Sequence, residues 1–274
     1  MKIFVDSAEI DEINKAKEYG MCDGVTTNPS LIKKAVDKLK VAGKKVDMTN
    51  YISDICKVAG RDSPVSLEVV SLKAEDMIKE GVMLYGKFNG LMGNVVIKVP
   101  VSTSRQEGEE HYEGLKTIKD LSRRKIPVNA TLVMTPEQAL LAAKAGAAYV
   151  SPFAGRIDDY LRTRLGESFG KRDYFPAEGK HKDGTLANDK GIASGVELVK
   201  RTMEILERYG MKTEVIAASL RNARQVREVA LAGAHIATIP FDVLEEMIKH
   251  PKTFEGIVKF SEDVVPEYRQ IFGH

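Results

Sequence analysis

The sequence predicts an α/β protein of the (β/α)8 class, a TIM barrel. Eight short runs rich in β-branched residues alternate with helical patterns from one end of the 274-residue chain to the other. Regular alternation of this kind favours a parallel sheet covered by helices, and eight repeats favour closure of that sheet. Barrels of this class commonly comprise about 250 residues in one domain. An open, doubly wound sheet is the alternative architecture.

The strand predictions rest on short apolar runs with little polar alternation, which is typical of strands buried on both faces. The clearest is the run VVIKVP at 95–100, where β-branched residues end at a proline. In chain order, the predicted strands are Lys2–Asp6, Gly24–Asn28, Val65–Val70, Val95–Pro100, Val128–Val133, Tyr149–Phe153, Glu214–Ser219 and Ile236–Pro240.

The helices between these strands are marked by residues that favour helix starts and helix ends. Side chains that accept hydrogen bonds from free helix amides precede three of them. These predicted caps are Ser7 for Ala8–Tyr19, Thr135 for Glu137–Ala145 and Asn222 for Ala223–Leu231. Glycines follow four helical runs, where a left-handed residue is common. They are Gly20, Gly146, Gly210 and Gly233.

Three segments lie outside the alternation. Val46–Ala59 is predicted as an extra helix in the second connection, and residues 158–190 form a charged, glycine-rich stretch with few apolar residues. Such a composition predicts a long loop over the top of the barrel. The tail, Pro251–His274, is predicted to carry a further amphipathic helix at about 251–272, which covers the barrel or docks on a neighbouring subunit. Without internal repeats or linkers, residues 1–274 are expected to form one domain.

Composition argues against several classes of partner. The 41 basic residues nearly balance 39 acidic ones, so nothing favours nucleic acid. No apolar run approaches the roughly 18 residues of a transmembrane helix, and the strand-like start at Lys2 is unlike a signal peptide. Cys22 and Cys56 follow no metal or disulfide pattern, and the five histidines are scattered. We expect a cytoplasmic protein without a catalytic metal or a membrane partner.

Polar residues recur near the C-terminal ends of the predicted strands. Residues two apart on a strand share a face, and C-terminal strand ends build the active site of a barrel. A role at a loop or helix end explains any one of these residues equally well, but not all of them together. They are Asp6, Thr26 and Asn28, Ser66 and Glu68, Lys98, Asn129 and Thr131, Ser151 (with the apolar Phe153 on the same face), and Ser219 with Arg221 just beyond.

Lys98 is the most informative of these residues, because a buried lysine costs free energy unless it is paired or in use. Either the strand overruns its boundary and Lys98 reaches solvent, or the amine is functional. Apolar neighbours favour a neutral amine, which attacks a ketone to form a Schiff base. Glu68 and Asp6 can transfer protons. Arg156 and Arg221 are suited to a phosphate, so the expected substrate is a phosphorylated sugar.

Five segments, in this order along the chain, resemble the transaldolase family. They are VTTNPSLI at 25–32, VVIKVP at 95–100, NAT at 129–131, SPFAGRI at 151–157 and AASLRN at 217–222. The resemblance runs from the first strand region to the eighth. It implies a class I, Schiff-base (β/α)8 barrel that acts on sugar phosphates without a cofactor or a metal.

The resemblance also implies a role for each matching residue. Lys98 would form the Schiff base, and Asp6 would handle the proton of the hydroxyl next to the broken bond. Glu68, with Thr131, would position the water used to form and resolve the imine. Asn28 and Asn129 match positions that hold the three-carbon unit. The phosphate-binding positions are Arg156, Ser219 and Arg221, and the predicted substrate-binding set also contains Thr26, Ser151 and Phe153.

Two positions distinguish transfer from release within this family. The similar fructose-6-phosphate aldolases carry Gln in place of Glu68 and Tyr in place of Phe153, and a tyrosine hydroxyl there helps release free dihydroxyacetone. The residues present predict transfer of dihydroxyacetone from sedoheptulose 7-phosphate or fructose 6-phosphate to glyceraldehyde 3-phosphate or erythrose 4-phosphate, in the pentose phosphate pathway. The alternatives are the aldolase, a transaldolase for a sulfonated sugar, and a catalytically silent barrel with a binding or assembly role.

The 158–190 segment is longer than the tight loop of the shortest family members. Its stretch KRDYFPAE at 171–178 is similar to that of longer bacterial transaldolases. Arg162, Arg164 and Lys180 are predicted on a loop at the phosphate end, and a solvated loop is favoured over substrate contact. Small family members form pentamer-based decamers in which the C-terminal helix packs on a neighbour, so a pentameric or decameric homo-oligomer is expected.

Overall fold

A closed barrel of eight parallel strands forms the centre of the structure, a computed structural model that describes residues 1–106 and 108–273. In the chain, the strands are β1 (Lys2–Asp6), β2 (Gly24–Thr26), β3 (Val65–Glu68), β4 (Val95–Pro100), β5 (Val128–Val133), β6 (Tyr149–Pro152), the short hairpin strands β7 (His181–Lys182) and β8 (Thr185–Leu186), β9 (Glu214–Ala217) and β10 (Ile236–Ile239). All but β7 and β8 form the barrel, in the order β1-β10-β9-β6-β5-β4-β3-β2. The predicted (β/α)8 class is confirmed.

The helices lie in the connections between the strands and in the tail. Over the described residues they are α1 (Ile10–Glu18), α2 (Pro29–Val41), α3 (Met48–Ala59), α4 (Ala74–Met92), α5 (Glu113–Arg123), α6 (Pro136–Ala145), α7 (Ala154–Leu165), α8 (Gly195–Arg208), α9 (Ala223–Leu231), α10 (Phe241–Met247), α11 (Pro251–Glu262) and α12 (Pro266–Gln270). The extra helix predicted in the second connection is α3. No helix in this part of the chain is both long and apolar enough to cross a membrane.

Several strands end earlier than predicted, because residues at their predicted C-terminal ends lie outside the sheet hydrogen bonding, at the rim of the barrel. The predicted second strand extended to Asn28, whereas β2 ends at Thr26. Asn28 instead caps α2, and its Oδ1 accepts a hydrogen bond from the Leu31 amide at 3.0 Å. Phe153 likewise lies just beyond β6, at the start of α7.

The predicted helix caps are confirmed at Thr135 and Asn222, whereas the cap predicted at Ser7 is wrong. Thr135 forms a capping box with Gln138, and Asn222 accepts from the Gln225 amide at 2.9 Å. Helix α1 begins only at Ile10, since the Ser7 hydroxyl donates to Glu12 and accepts from the Glu9 amide at 3.0 Å. The four predicted C-terminal glycines have positive φ angles; they are Gly20, Gly146, Gly210 and Gly233.

An apolar layer fills the N-terminal end of the barrel. Phe4, Ile216 and Ile236 pack there with Tyr149, each of the first three at most 1% exposed. The ring of Phe4 occupies the space above Gly24, where a Cβ atom would lie 2.5 Å from the ring. This layer fills the barrel from below, which leaves the C-terminal ends of the strands as the place for a ligand-binding cavity.

The segment predicted as a loop from 158 to 190 is in part a helix. Helix α7 continues to Leu165, and the irregular excursion that follows runs from 166 to 194 with the hairpin β7–β8 inside it. Asp158 is buried, and its carboxylate accepts from the Gly195 amide at 2.7 Å and from Gln225 Nε2 at 2.6 Å. Burial raises the pKa of Asp158 to about 7. This carboxyl group joins α7 to α8 and α9, which a solvated loop would not do.

The tail forms two helices rather than the single helix predicted at 251–272. The break falls between Glu262 and Pro266, because proline lacks the amide needed inside a helix. Neither α11 nor α12 contains a buried residue, and Phe254 and Phe260 are 58% and 69% exposed. The tail therefore does not cover the barrel of its own chain. Its predicted last residue, His274, lies outside the described residues.

We predict that Gly24→Ala destabilises the barrel, by about 1–3 kcal/mol in the free energy of unfolding, because the new methyl group overlaps the Phe4 ring. Gly86→Ala is the matched control. Gly86 lies inside α4, and a Cβ there meets nothing within 4 Å. It should stabilise by about 0.5–1 kcal/mol through helix propensity. Urea unfolding measures both variants, and equal effects would contradict the packing described for Phe4.

Candidate active site

A cavity of about 860 Å³ opens at the C-terminal ends of the barrel strands. Eleven of the twelve predicted site residues line it. These eleven are Asp6, Thr26, Asn28, Glu68, Lys98, Thr131, Ser151, Phe153, Arg156, Ser219 and Arg221. They come from seven of the eight barrel strands or from the segments that directly follow them, so closure of the barrel is what brings them together.

Lys98 lies at the floor of this cavity in an ion pair. Its Nζ is 3.2 Å from Glu68 Oε2 and donates to the Thr27 carbonyl oxygen at 3.1 Å. The pairing follows from strand register, because Glu68 on β3 stands opposite Lys98 on β4. The lysine side chain is only 5% exposed. The alternative of a lysine reaching solvent beyond its strand is therefore wrong.

Asp6, at the end of β1, presents a second carboxyl group to the cavity. Enclosure in the barrel mouth raises the pKa of Asp6, and the positive charge of Lys98 acts against this rise. Thr26 Oγ1 donates to Asp6 Oδ1 at 2.7 Å and also lies 2.5 Å from Thr238 Oγ1. A carboxyl group with a raised pKa is suited to exchanging protons with a substrate near neutral pH.

Asn129 is the one residue of these twelve that does not line the cavity. It is fully buried and lies between two hydroxyl side chains. Its Nδ2 donates to Ser66 Oγ at 3.2 Å, and its Oδ1 accepts from Ser151 Oγ at 2.7 Å. This chain of hydrogen bonds fixes the orientation of Ser151, which does reach the cavity.

Thr131 presents a hydroxyl group with an unused hydrogen-bonding capacity. Its Oγ1 is buried and has no partner among the residues that the structure describes. The next residue, Leu132, has a φ angle of +57°, and the pairing of β5 with β6 shifts register between Ala130 and Val133. Such a bulge redirects side chains next to functional sites. A buried hydroxyl in this position is ready to bind a water molecule or a substrate hydroxyl.

The other end of the cavity is basic. Arg156 lies over the Phe153 ring at 5.6 Å, and Arg221 Nη2 donates to Asp159 Oδ2 at 2.8 Å. Gly155 permits this arrangement, because a Cβ there would lie 2.1 Å from the Ser219 carbonyl oxygen. The N-terminus of α7 begins at the same place without a side-chain cap. Guanidinium groups beside free helix amides form a site for a phosphate-like anion.

Three basic residues predicted at the phosphate end do not line the cavity. Arg162 is 2% exposed and donates to the Asp173 carbonyl oxygen at 2.7 Å. Arg164 donates to the Asn188 carbonyl oxygen at 3.0 Å, and Lys180 pairs with Glu167 at 2.7 Å. These side chains hold the excursion together.

Sequence reasoning missed several residues that do line the cavity. Two of them, Lys171 and Arg172, come from the excursion, and Thr238 comes from β10. The similarity of 171–178 to longer transaldolases was the available signal for the first two. Thr238 carried a weaker signal, since it is the polar residue within an apolar strand.

No group of three or more histidine, cysteine, aspartate or glutamate side chains in residues 1–106 and 108–273 is arranged to hold a metal ion. The predicted independence from metals and cofactors stays a prediction.

The fold and this cavity define a (β/α)8-barrel protein with an enzyme-like site at the C-terminal strand ends. The family model described as transaldolase/fructose-6-phosphate aldolase matches residues 3–271. The chain therefore belongs to that family.

Three similar proteins match this chain over nearly all of its length. The chain is 44% identical over 264 residues to a protein of Prosthecochloris aestuarii named probable transaldolase, with 96% of this chain and 97% of the relative covered. Relatives with the same name from Thermodesulfovibrio yellowstonii and Thermoplasma acidophilum are 43% and 41% identical over 263 residues. Each match covers 96% of this chain, and 97% and 95% of those relatives.

We predict that Thr26→Val raises the pKa of Asp6 further, because the hydrogen bond from Thr26 stabilises the charged carboxylate. Thr26→Ser keeps a hydroxyl group and should leave the titration of Asp6 close to that of the parent. The pKa is measured from the pH dependence of the aspartate side-chain carboxyl 13C shifts. The same Asp6 titration in the valine variant and the parent would contradict this arrangement.

Proposed function

We propose that this protein is a transaldolase, which transfers a dihydroxyacetone unit from a ketose phosphate to an aldose phosphate through a Schiff base on Lys98. The observation that carries the proposal is the buried ion pair between Lys98 and Glu68 at the floor of a cavity with a basic end. The family and the names of its relatives support the same activity.

The first half of the reaction forms the imine. Glu68, 3.2 Å from Lys98 Nζ, takes a proton from the ammonium group and leaves an amine that attacks the ketone carbonyl carbon. The resulting carbinolamine loses its hydroxyl group as water when Glu68 returns the proton. The Thr131 hydroxyl, which has no partner among the described residues, holds this water.

Cleavage follows at the bond next to the imine. Asp6 removes the proton of the C4 hydroxyl group, the C3–C4 bond breaks, and its electron pair moves into the iminium to form an enamine. An aldose phosphate leaves, and the three-carbon unit stays on Lys98. The enamine then attacks the aldehyde carbon of the acceptor while Asp6 returns its proton, and water releases the new ketose phosphate.

The remaining side chains hold the two ends of the sugar. Arg156, Arg221 and Ser219 surround the basic end and are assigned to the phosphate. Hydroxyl and amide groups closer to Lys98 are assigned to the three-carbon unit; these are Thr26, Asn28 and Ser151, with Asn129 acting behind Ser151.

Transfer is favoured over release of free dihydroxyacetone by Glu68 and Phe153. The ring of Phe153 lines the cavity and carries no proton donor, so water-mediated protonation of the enamine lacks the hydroxyl group that an aldolase provides there. The described residues offer no feature that favours a sulfonated substrate or a purely assembly role.

The predictions about domain organisation, cellular location, pathway and oligomeric state belong to the same proposal. A single domain, a cytoplasmic enzyme of the pentose phosphate pathway and a homo-oligomer remain predictions. The exposed apolar residues of α11 and α12 support an interface between copies of this chain, because contiguous exposed apolar surface commonly marks a protein–protein contact.

We predict that turnover of fructose 6-phosphate depends on erythrose 4-phosphate, with at least about a hundredfold slower reaction in its absence, since the enamine needs an acceptor. A coupled assay measures glyceraldehyde 3-phosphate and dihydroxyacetone separately.

Borohydride with fructose 6-phosphate should add one three-carbon unit to Lys98, as seen by peptide mass spectrometry. Lys98→Met should form no adduct and lose activity by about a thousandfold or more. An active Lys98→Met variant would rule out the mechanism.

We further predict that Phe153→Tyr increases release of free dihydroxyacetone by about tenfold, because its hydroxyl group can direct a proton to the enamine. Phe153→Leu is the control, since it changes the side chain without adding a donor. Dihydroxyacetone formed per ketose consumed, without an acceptor, is the measurement. An equal increase in both variants would attribute release to loosened packing instead.

A further inference from the structure

Among residues 1–106 and 108–273, Lys171 is a cation of the cavity without a carboxylate partner. Six basic residues line the cavity: Lys34, Lys98, Arg156, Lys171, Arg172 and Arg221. Four of them form ion pairs, with Glu9, Glu68, Asp242 and Asp159 as the respective partners of Lys34, Lys98, Arg172 and Arg221. Within the described part of the chain, neither Lys171 nor Arg156 has a carboxylate oxygen within 4.0 Å. Both are free to bind an anion.

The backbone around Lys171 is held from several sides. The Gly170 amide donates to Asp173 Oδ2 at 2.8 Å, and buried Arg162 donates to the Asp173 carbonyl oxygen at 2.7 Å. On the other side, Asn222 Nδ2 donates to the Arg172 carbonyl oxygen at 3.1 Å. These bonds place Lys171 at the cavity on a turn that is fixed, although the excursion around it is long.

Aromatic packing anchors the same turn. Arg162 lies over the rings of Phe169 and Phe175 at 5.0 and 5.3 Å. Phe175 is 3% exposed and belongs to an apolar cluster with residues of α7 and α8. The Arg172 side chain pairs with Asp242 on α10. The turn thus connects the outer helices to the cavity mouth, where it positions the ammonium group of Lys171.

The positive charge of Lys171 acts on the carboxyl group of Asp6, at the reacting end of the cavity. Together with Lys98 and Arg221, it opposes the burial that raises the pKa of Asp6. A lysine ammonium on a flexible stem is a compact point charge and a common ligand for phosphate oxygens.

We propose that Lys171 is a specificity-determining residue that binds the phosphate of the sugar in addition to Arg156 and Arg221. This inference rests on the proposed transaldolase function and deepens it. The excursion then serves to add a third charge to the phosphate site, which selects phosphorylated over neutral aldehydes.

The test compares phosphorylated and neutral acceptors in the Lys171→Met variant. In a reaction that passes through a covalent three-carbon intermediate, kcat/KM for the acceptor reports only the second half of the reaction and is independent of the donor. The ratio of kcat/KM for erythrose 4-phosphate to that for erythrose should fall about tenfold, and Lys171→Arg should restore most of it. An unchanged ratio overturns the proposal.

A purely electrostatic effect on Asp6 gives a different result. Loss of the positive charge would raise the pKa of Asp6, move the acidic limb of the pH–rate profile to higher pH and slow both acceptors equally. That outcome would also overturn the proposal. Lys182→Met is the matched control, since Lys182 is an exposed residue of the same excursion that does not line the cavity. Its acceptor ratio should equal that of the parent.

Binding of inorganic phosphate tests the site independently of turnover. Calorimetric titration at low ionic strength should show about tenfold weaker binding to Lys171→Met than to the parent or to Lys182→Met. Should the parent catalyse no transfer, the proposed function fails while this titration still decides the role of Lys171. Equal affinities for all three proteins would exclude Lys171 from the phosphate site.

Discussion

The site depends on one buried ion pair, that of Lys98 with Glu68. Removing two charges from water costs several kcal/mol for each ion, and only close pairing with further hydrogen bonds offsets this cost. Here the parallel register of β3 and β4 sets the two residues side by side, and the Thr27 carbonyl oxygen accepts a second hydrogen bond from the lysine. Neither residue is stable in this position without the closed barrel around it. The pair is therefore a product of the whole fold.

The two ends of the barrel divide structural and chemical roles between them. At the N-terminal end, Phe4 and its apolar neighbours fill the interior so closely that a Cβ atom at position 24 would overlap the Phe4 ring. At the C-terminal end, the same strands carry side chains with hydroxyl, amide and charged groups. Asp6 lies two residues after Phe4 on one face of β1, so a single strand contributes to both layers. The packed layer below gives the polar groups of the site a rigid base.

The excursion between α7 and α8 shows how buried charges can organise a long connection. Asp158 binds the start of α8, and Arg162 binds the backbone of the turn at 170–173. Both are charged residues of a segment whose composition predicts exposure to solvent. Their partners are a helix amide, a glutamine and aromatic rings, which lie between 7 and 67 residues away along the chain. Interior polar residues of this kind fix one arrangement of the chain, because leaving any of them unpaired is costly.

By itself, the sequence determined the barrel class, nearly all strand positions, the caps at Thr135 and Asn222, and the set of polar residues at the strand ends. Those features are local, since the two-residue period of a strand and the chemistry of a cap act over a few neighbours. Only the tertiary structure decided that Asn129 lies behind the cavity, that Arg162 is buried and that Lys171 reaches the mouth. It also decided that the tail leaves its own barrel uncovered. Burial and pairing depend on contacts between residues far apart in the chain, and charge patterns alone do not distinguish a buried arginine from a solvated one.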